Sequence, residues 1–277
     1  MKEKPTFRLN SYKTAVITGA SSGIGLEFAH RFAEMHINLI LIARRANKLE
    51  EICSELSKKY KIKASYIVSD LSLDEDVRKS IEQIKEFESI DILVNGAGFG
   101  TLGDFPSVSI DVHFQMINLH INAAVRLCHA LIPSMQKRNL GVIINVASLG
   151  AFTPIRGNAI YSATKSFLIS FTENLERDLA GSDIILQALC PGFTRTEFHS
   201  VGHLSDYDSS LIPKWLWMTT KEVVNYSISS LSKKRLIVIP GRKHRWIAKL
   251  YKSFFIQTYL KIKRKKHGKK IQNEKSN

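Results

Sequence analysis

Seven short apolar runs punctuate the chain, at Lys13–Ile17, Ile37–Ala43, Ala64–Ser69, Ile90–Asn95, Gly141–Ala147, Asp183–Leu189 and Leu236–Pro240. Several are continuous, without polar residues at alternate positions, as in strands of a parallel sheet covered on both faces. Between them apolar residues recur at helical spacing: from a glycine-rich turn through Met35, then over Ala46–Lys59, Asp74–Glu88, Val112–Lys137, Ala159–Ala180 and Thr220–Ser232. The alternation predicts an α/β protein built on a single doubly wound parallel sheet of about seven strands, with helices on both faces. There is no internal repeat, and low complexity is confined to a lysine-rich end.

Beyond Gly241 the pattern changes. Trp246, Ile247, Leu250, Tyr251, Phe254, Phe255, Tyr259 and Leu260 recur at helical spacing among Arg245, Lys249, Lys252 and Lys261, and a basic run from Lys263 to Lys270 follows. This predicts an extra amphipathic basic helix over 242–262 and a disordered basic tail over 263–277, appended to a domain of residues 1–241. With 277 residues, 44% of them hydrophobic, the chain is long enough for one full core rather than two. The net charge of +15 is concentrated at this end: residues 242–277 carry +12 and residues 1–241 only +3. Cys53, Cys128 and Cys190 are odd in number and scattered, so neither a disulfide framework nor a zinc site is expected, and a reducing compartment is. Met1 to Tyr12 has no apolar core of signal-peptide length, and no run approaches the ~18 residues of a spanning helix. The expectation is a cytoplasmic protein, soluble or peripheral at a membrane.

The first strand ends in Thr18-Gly19-Ala20-Ser21-Ser22-Gly23-Ile24-Gly25 and leads into a helix. A strand, a glycine turn and a helix N-terminus form a phosphate cradle, because small residues admit a pyrophosphate to backbone amides at the positive end of the helix dipole. The spacing is G-x-x-x-G-x-G, with the same mechanics as other dinucleotide turns, and it makes the predicted sheet Rossmann-like. The second strand ends at Arg44-Arg45, where such folds read the adenosine ribose. Arginine there suits a 2′-phosphate through a charge-assisted fork, which favours NADP(H) over NAD(H). Farther along, Tyr161 and Lys165 stand four residues apart on a predicted helix and so share a face. A nearby ammonium in a water-poor cleft favours the phenolate; bringing a phenol from ~10 to about 7 takes roughly 4 kcal/mol. Tyr161 would then exchange a proton with a carbonyl oxygen near neutral pH.

In their order along the chain these motifs resemble the short-chain dehydrogenase/reductase family over roughly residues 12–241, in an NADP-preferring ketoreductase form. The matches are the Thr18–Gly25 turn, Asp70-Leu71 after the third strand, Asn95-Gly96-Ala97-Gly98 after the fourth, Asn118 in the next helix, Ser148 after the fifth strand, Tyr161 to Lys165, and Pro191-Gly192 after the sixth. The resemblance implies roles for these residues. Tyr161 is the acid/base, Ser148 orients the reacting carbonyl, Lys165 also reaches the nicotinamide ribose, and Asn118 supports a proton-relay water. Gly19, Ser21, Ser22, Gly23, Ile24 and Gly25 would hold the pyrophosphate, Arg44 and Arg45 the ribose phosphate. Asp70 and Leu71 would lie at the adenine, Asn95 and Ala97 along the cofactor, and Pro191, Gly192 and Thr194 at the nicotinamide. Where the family often has Asn-Asn-Ala-Gly this chain has Gly96 as its second residue, which implies altered local packing without loss of activity. Taken singly, Ser148 is also a plausible turn cap, Asn118 a helix polar residue bonded to a neighbour, and Asp70 a turn aspartate.

The implied reaction is reduction of a carbonyl on a hydrophobic substrate, or the reverse alcohol oxidation; the alternative is a catalytically idle nucleotide-binding sensor or scaffold. No metal is expected, and the nine histidines read as surface or core residues. Phe193 to Met218, with Phe198, Tyr207, Leu211, Ile212, Trp215, Leu216 and Trp217, is apolar enough for a lid over a hydrophobic pocket, to which Phe99, Phe105 and Phe152 would contribute. The same residues would equally seal the core or an oligomer contact. A 3-oxoacyl chain, a steroid-like or retinoid ketone, a sugar and a quinone all remain open as substrates. The basic end at 242–270 admits an anionic membrane surface, as in relatives that handle lipid-like carbonyls, or a helix packed on its own domain; nucleic acid is disfavoured. Relatives often pair through the two long helices, which implies a homodimer or tetramer.

Overall fold

The structure, a computed structural model, describes residues 11–153, 155–199, 208, 210 and 212–252. Seven strands, β1 (Thr14–Thr18), β2 (Asn38–Ala43), β3 (Ala64–Val68), β4 (Ile92–Asn95), β5 (Gly141–Val146), β6 (Ile184–Leu189) and β7 (Ile237–Val238), form one sheet in the order β3-β2-β1-β4-β5-β6-β7. Every pairing is parallel. The fold expected from the alternation is therefore present: β1 is shifted by one residue, β2 to β6 are each shorter by one or two, and β7 keeps only two of the five residues expected.

Burial on both faces explains the unbroken apolar strands. In β2, Leu39 and Leu41 enter the core on one side of the sheet while Ile40 and Ile42 enter the core on the other. The first core is closed by α1 (Gly23–Glu34), α2 (Ala46–Tyr60) and α7 (Thr220–Leu231), through Phe28 and Phe32, Leu49 and Leu56, and Val223 and Leu231. The second is closed by α3 (Asp74–Lys85) and α5 (Ala123–Arg138), with Phe171 and Leu175 of α6 (Ala159–Asp178) packed against it. Helix α7 starts in a reciprocal cap between Thr219 and Glu222, which satisfies two amides that the first turn leaves without partners.

The long helix expected over Val112–Lys137 is not uniform. It comprises α4 (Ile110–Ile117), a π-helical turn (Asn118–Asn122) and α5. Such turns frequently occur at functional sites, and this one borders the crevice described below.

Helix α8 (Arg242–Lys252) covers the first part of the segment expected to follow a separate domain. It packs on the domain through buried His244 and Ala248, and exposes Trp246 and Leu250. The His244 ring lies between the Pro240 and Leu216 carbonyls, at 3.1 and 3.0 Å, and a Cβ on Gly192 would come within 2.5 Å of it. The basic run Lys263–Lys270 and the apolar residues from Phe254 to Leu260 lie outside the described residues, as do Tyr207 and Leu211. Among the described residues no helix is long and apolar enough to cross a membrane.

Candidate active site

The strand order reverses between β1 and β4, so the loops leaving their carboxyl ends diverge and open a crevice, the usual ligand position in such sheets. Both loops are held together from beneath. The Thr18 hydroxyl accepts the amides of Gly96 and Ala97 at 3.0 and 3.1 Å. Gly19, at φ 67°, lies so close to Ala97 that an added Cβ would approach its Cα to 2.8 Å. A Cβ on Gly25 would run into the Gly19 carbonyl. The glycines are thus required by backbone-to-backbone packing as well as by ligand access. Gly23 begins α1 at φ 60°, Ser22 precedes it in extended conformation, and Ile24 packs against the first core.

Arg45 projects from the end of β2 over this turn. Its Nε and Nη2 donate to the Ser21 hydroxyl at 3.1 and 3.0 Å, and Nη2 also donates to the Ser21 carbonyl. Its Nη1 donates to the Glu197 carboxylate at 2.8 Å, and Lys48 reaches the other oxygen of the same group at 3.1 Å. Arg45, and then Lys48, hold the Glu197 carboxyl below its ordinary range. An anionic group therefore already occupies two cations beside the glycine turn, and this donor set fits an anionic cofactor group. Arg44 instead extends toward solvent and lies 3.6 Å from Asp70. Asp70 behaves as a turn residue, accepting the Ser72 amide and hydroxyl, while Leu71 is buried in the second core.

Ser148, Tyr161 and Lys165 come together over the ends of β5 and α6. Ser148 sits in extended backbone after β5, accepts the Gly150 amide at 3.0 Å, and hydrogen-bonds the Tyr161 phenol. Turn cap and phenol partner are thus combined in one hydroxyl. Lys165 is buried, with Nζ 5.8 Å from the centre of the Tyr161 ring, and donates to the Val146 carbonyl at 2.9 Å. Burial lowers the lysine to about 8, an effect that Cys190 partly offsets. The tyrosine differs from the expectation of a lowered phenol: burial raises it above 10, and the Ser148 bond opposes that only in part. The physical reason is that loss of water outweighs the bond from Ser148, while the Lys165 ammonium bonds a carbonyl.

The remaining expected residues lie around this centre. Pro191 accepts the Leu149 amide at 2.8 Å, joining the loops after β5 and β6. Gly192 abuts His244, and buried Thr194 donates to the Gly192 carbonyl. Asn95 lies beneath the crevice, where it donates to Asn145, which in turn donates to Thr172. Ala97 contributes its amide to Thr18 and packs on the second core. The Asn118 side chain accepts from Asn122 one turn on. The side chain this helix directs to the cluster is His120, which stands edge-on to Tyr161 at 5.9 Å and close to Lys165.

Sequence reasoning set His120 aside with the other histidines, and it did not single out Glu197 or His244. A usable signal existed for His120, since it shares the buried stripe with Met116, Ala123 and Leu127. On the substrate side Phe198 lies 6.1 Å from the Tyr161 ring, and Phe193 packs on Trp217 at 5.6 Å. Phe152 packs against a third core, whereas Phe105 is 52% exposed and stacked on His113. Among the described residues no group of His, Cys, Asp or Glu has the arrangement of a metal site.

A dinucleotide crevice at a sheet's switch point, bordered by half-buried Ser148 and Tyr161 and buried Lys165, defines a nucleotide-dependent oxidoreductase of carbonyl and alcohol groups. Residues 13–202 match the family model of the short chain dehydrogenases. The chain belongs to this family. Hydroxysteroid dehydrogenase-like protein 1 of Gallus gallus is 32% identical over 219 residues, 78% of this chain but only 65% of its own length. The NADP-dependent 3-hydroxy acid dehydrogenase of Schizosaccharomyces pombe is 32% identical over 232 residues, 82% of this chain and 90% of its own. Among solved structures, a short-chain dehydrogenase from Sphingobium yanoikuyae in complex with NADPH superposes with a TM-score of 0.78 at 31% identity, covering 85% of this chain and 91% of that one.

Proposed function

We propose that the protein reduces the carbonyl of a hydrophobic substrate, or oxidises the matching alcohol in reverse, with NADP(H) preferred over NAD(H). The observation that carries this reading is the half-buried Tyr161 phenol, hydrogen-bonded to Ser148 and raised by desolvation above its ordinary range, so that it holds its proton at neutral pH. A protonated phenol is the form required of a proton donor. When bound, the nicotinamide supplies the hydride. Ser148 and Tyr161 bond the carbonyl oxygen as negative charge develops on it, and Tyr161 releases its proton there. Lys165, whose ammonium lies beside the ring, favours the phenolate that results. Phe198 beside Tyr161, and Phe193 with Trp217, suit an apolar substrate. Gly19, Gly23, Gly25, Ser21 and Arg45 would hold the phosphates, with Arg45 and Lys48 turning from Glu197 to the 2′-phosphate; the NADPH complex and the NADP-dependent relative agree with that preference.

The test is a panel of lipophilic ketones, aldehydes and 3-oxoacyl esters monitored by loss of NADPH absorbance. Removing the donor in Tyr161→Phe is expected to lower turnover about 10²–10⁴-fold. Wild-type rates in that variant would overturn the assignment.

Two surfaces extend the reading. Trp215 and Trp246 are both largely exposed, with Lys243 over the first ring at 5.0 Å and Lys249 by the second at 5.9 Å. Aromatic and basic groups on one patch suit an anionic lipid interface beside the substrate segment. Exposed Phe114 on α4 and Phe167 on α6 suit pairing of two copies through these helices.

A further inference from the structure

We infer that His120, held as the neutral imidazole with its proton on Nδ1, is a positioning residue that clasps the loop after β4 to the turn of α6 carrying Tyr161. The hydrogen bonds allow one tautomer. The Phe99 amide can only donate, so Nε2, at 3.1 Å, accepts and carries no proton. Nδ1, 2.9 Å from the Thr164 hydroxyl, is then the donor. The Thr164 hydroxyl donates its own hydrogen bond to the Tyr161 carbonyl at 2.9 Å. The chain of bonds therefore runs from the loop amide through the ring to the backbone of the tyrosine itself, and each donor has one acceptor.

The surroundings leave little room for other arrangements. The ring is 2% exposed, and a Cβ on Gly98 would approach Nε2 to 2.8 Å and Lys165 Nζ to 3.4 Å. Among the described residues the ionisable groups facing it are Tyr161 and Lys165, both from α6. The β4 loop presents backbone and the Phe99 ring, 6.0 Å from that of His120, and the small cavity beside the ring is lined by uncharged residues, among them Thr18, Asn95, Ala97 and Leu168. Protonation at Nε2 would break the Phe99 bond and set a second cation beside Lys165. Burial, then the Lys165 charge, accordingly keep the imidazole well below its ordinary 6.5. The clasp closes the crevice from one side and orients the tyrosine from the other, so loop and proton donor move together.

This role rests on the proposed carbonyl reduction, and two of its tests do not. In ¹⁵N spectra of the whole protein near neutral pH, His120 is expected to show an unprotonated Nε2 and a protonated Nδ1. The folding equilibrium constant is expected to fall about tenfold for each pH unit below ~6.5 on account of this residue, because the unfolded ring binds a proton that the folded ring refuses. His120→Gln is expected to remove that component. If no carbonyl is turned over but these two results hold, the clasp stands and the function fails. With an active substrate, His120→Leu is expected to lower kcat about 10–100-fold, the scale of a small misplacement, with KM changed less than kcat. His120→Gln, which retains an acceptor for Phe99, is expected to recover most of the rate. Should His120→Leu not fold, Thr164→Val breaks the second link and is expected to lower kcat in the same manner. A proton on Nε2, a charged ring near neutrality, or folded His120→Leu or Thr164→Val with wild-type kcat would overturn the inference.

Discussion

Glu197→Gln gives a direct measure of how the anion site is held in the free protein. Glu197 accepts from Arg45 at 2.8 Å and from Lys48 at 3.1 Å, so a 2′-phosphate must take both cations from a carboxylate already bonded to them. All three side chains are 40–45% exposed, and each pair is therefore worth only about 0.2–1 kcal/mol. Together they set about 0.5–2 kcal/mol against the phosphate, or roughly two- to thirty-fold in affinity. The variant should bind NADPH tighter by that factor, while NADH, which needs neither cation released, should change by less than about twofold on the same scale. Titration of both cofactors against intrinsic tryptophan fluorescence measures this without turnover. The gain should shrink as salt is raised toward ~1 M, where the Debye length is about 3 Å. An equal gain for both cofactors, or none for NADPH, would refute the idea that Glu197 competes for the phosphate site.

Two further outcomes follow from the site and its borders. Lys165→Met should abolish turnover yet raise stability at pH 7: a lysine lowered from 10.5 to about 8 costs the folded protein about 3 kcal/mol, from which about 1 is subtracted for the bond to Val146. The sign is set by the folded protein binding that proton more weakly than the unfolded chain, so the cost is full below about 8 and fades as pH rises toward 10.5. Urea denaturation at pH 7 and 10 checks this, and a variant less stable at pH 7 would contradict it. Full-length protein should sediment with vesicles containing phosphatidylserine but not with neutral ones, and Lys243→Glu with Lys249→Glu should weaken binding about tenfold or more at ~1 kcal/mol per cation. Equal sedimentation with both vesicle types would remove the lipid surface.

The fold was legible because its determinants are local. Unbroken apolar strands and amphipathic helices write their burial directly into residue spacing, as in β2, whose alternate residues serve opposite cores. The strand-end motifs were legible for a related reason, since glycine and turn residues at these positions answer to backbone geometry within a few residues. Gly19 and Gly25 are required by contacts around one loop. The π turn at Asn118–Asn122 was not legible, because it changes the helical phase without changing the composition of the apolar stripe.

Composition and spacing by themselves therefore determined a doubly wound sheet, a dinucleotide turn, and a shared helix face for Tyr161 and Lys165, while the place of Ser148 beside them followed from the resemblance to the family. Tertiary structure alone decided the pairings and the charge states. Arg45 meets a carboxylate 152 positions away, and His120 meets a hydroxyl 44 positions away. Whether Tyr161 is raised or lowered depends on how much water the closed crevice removes and on which carbonyl the lysine reaches. Such quantities belong to the packed interior, where dielectric and distance are set by residues remote in the chain.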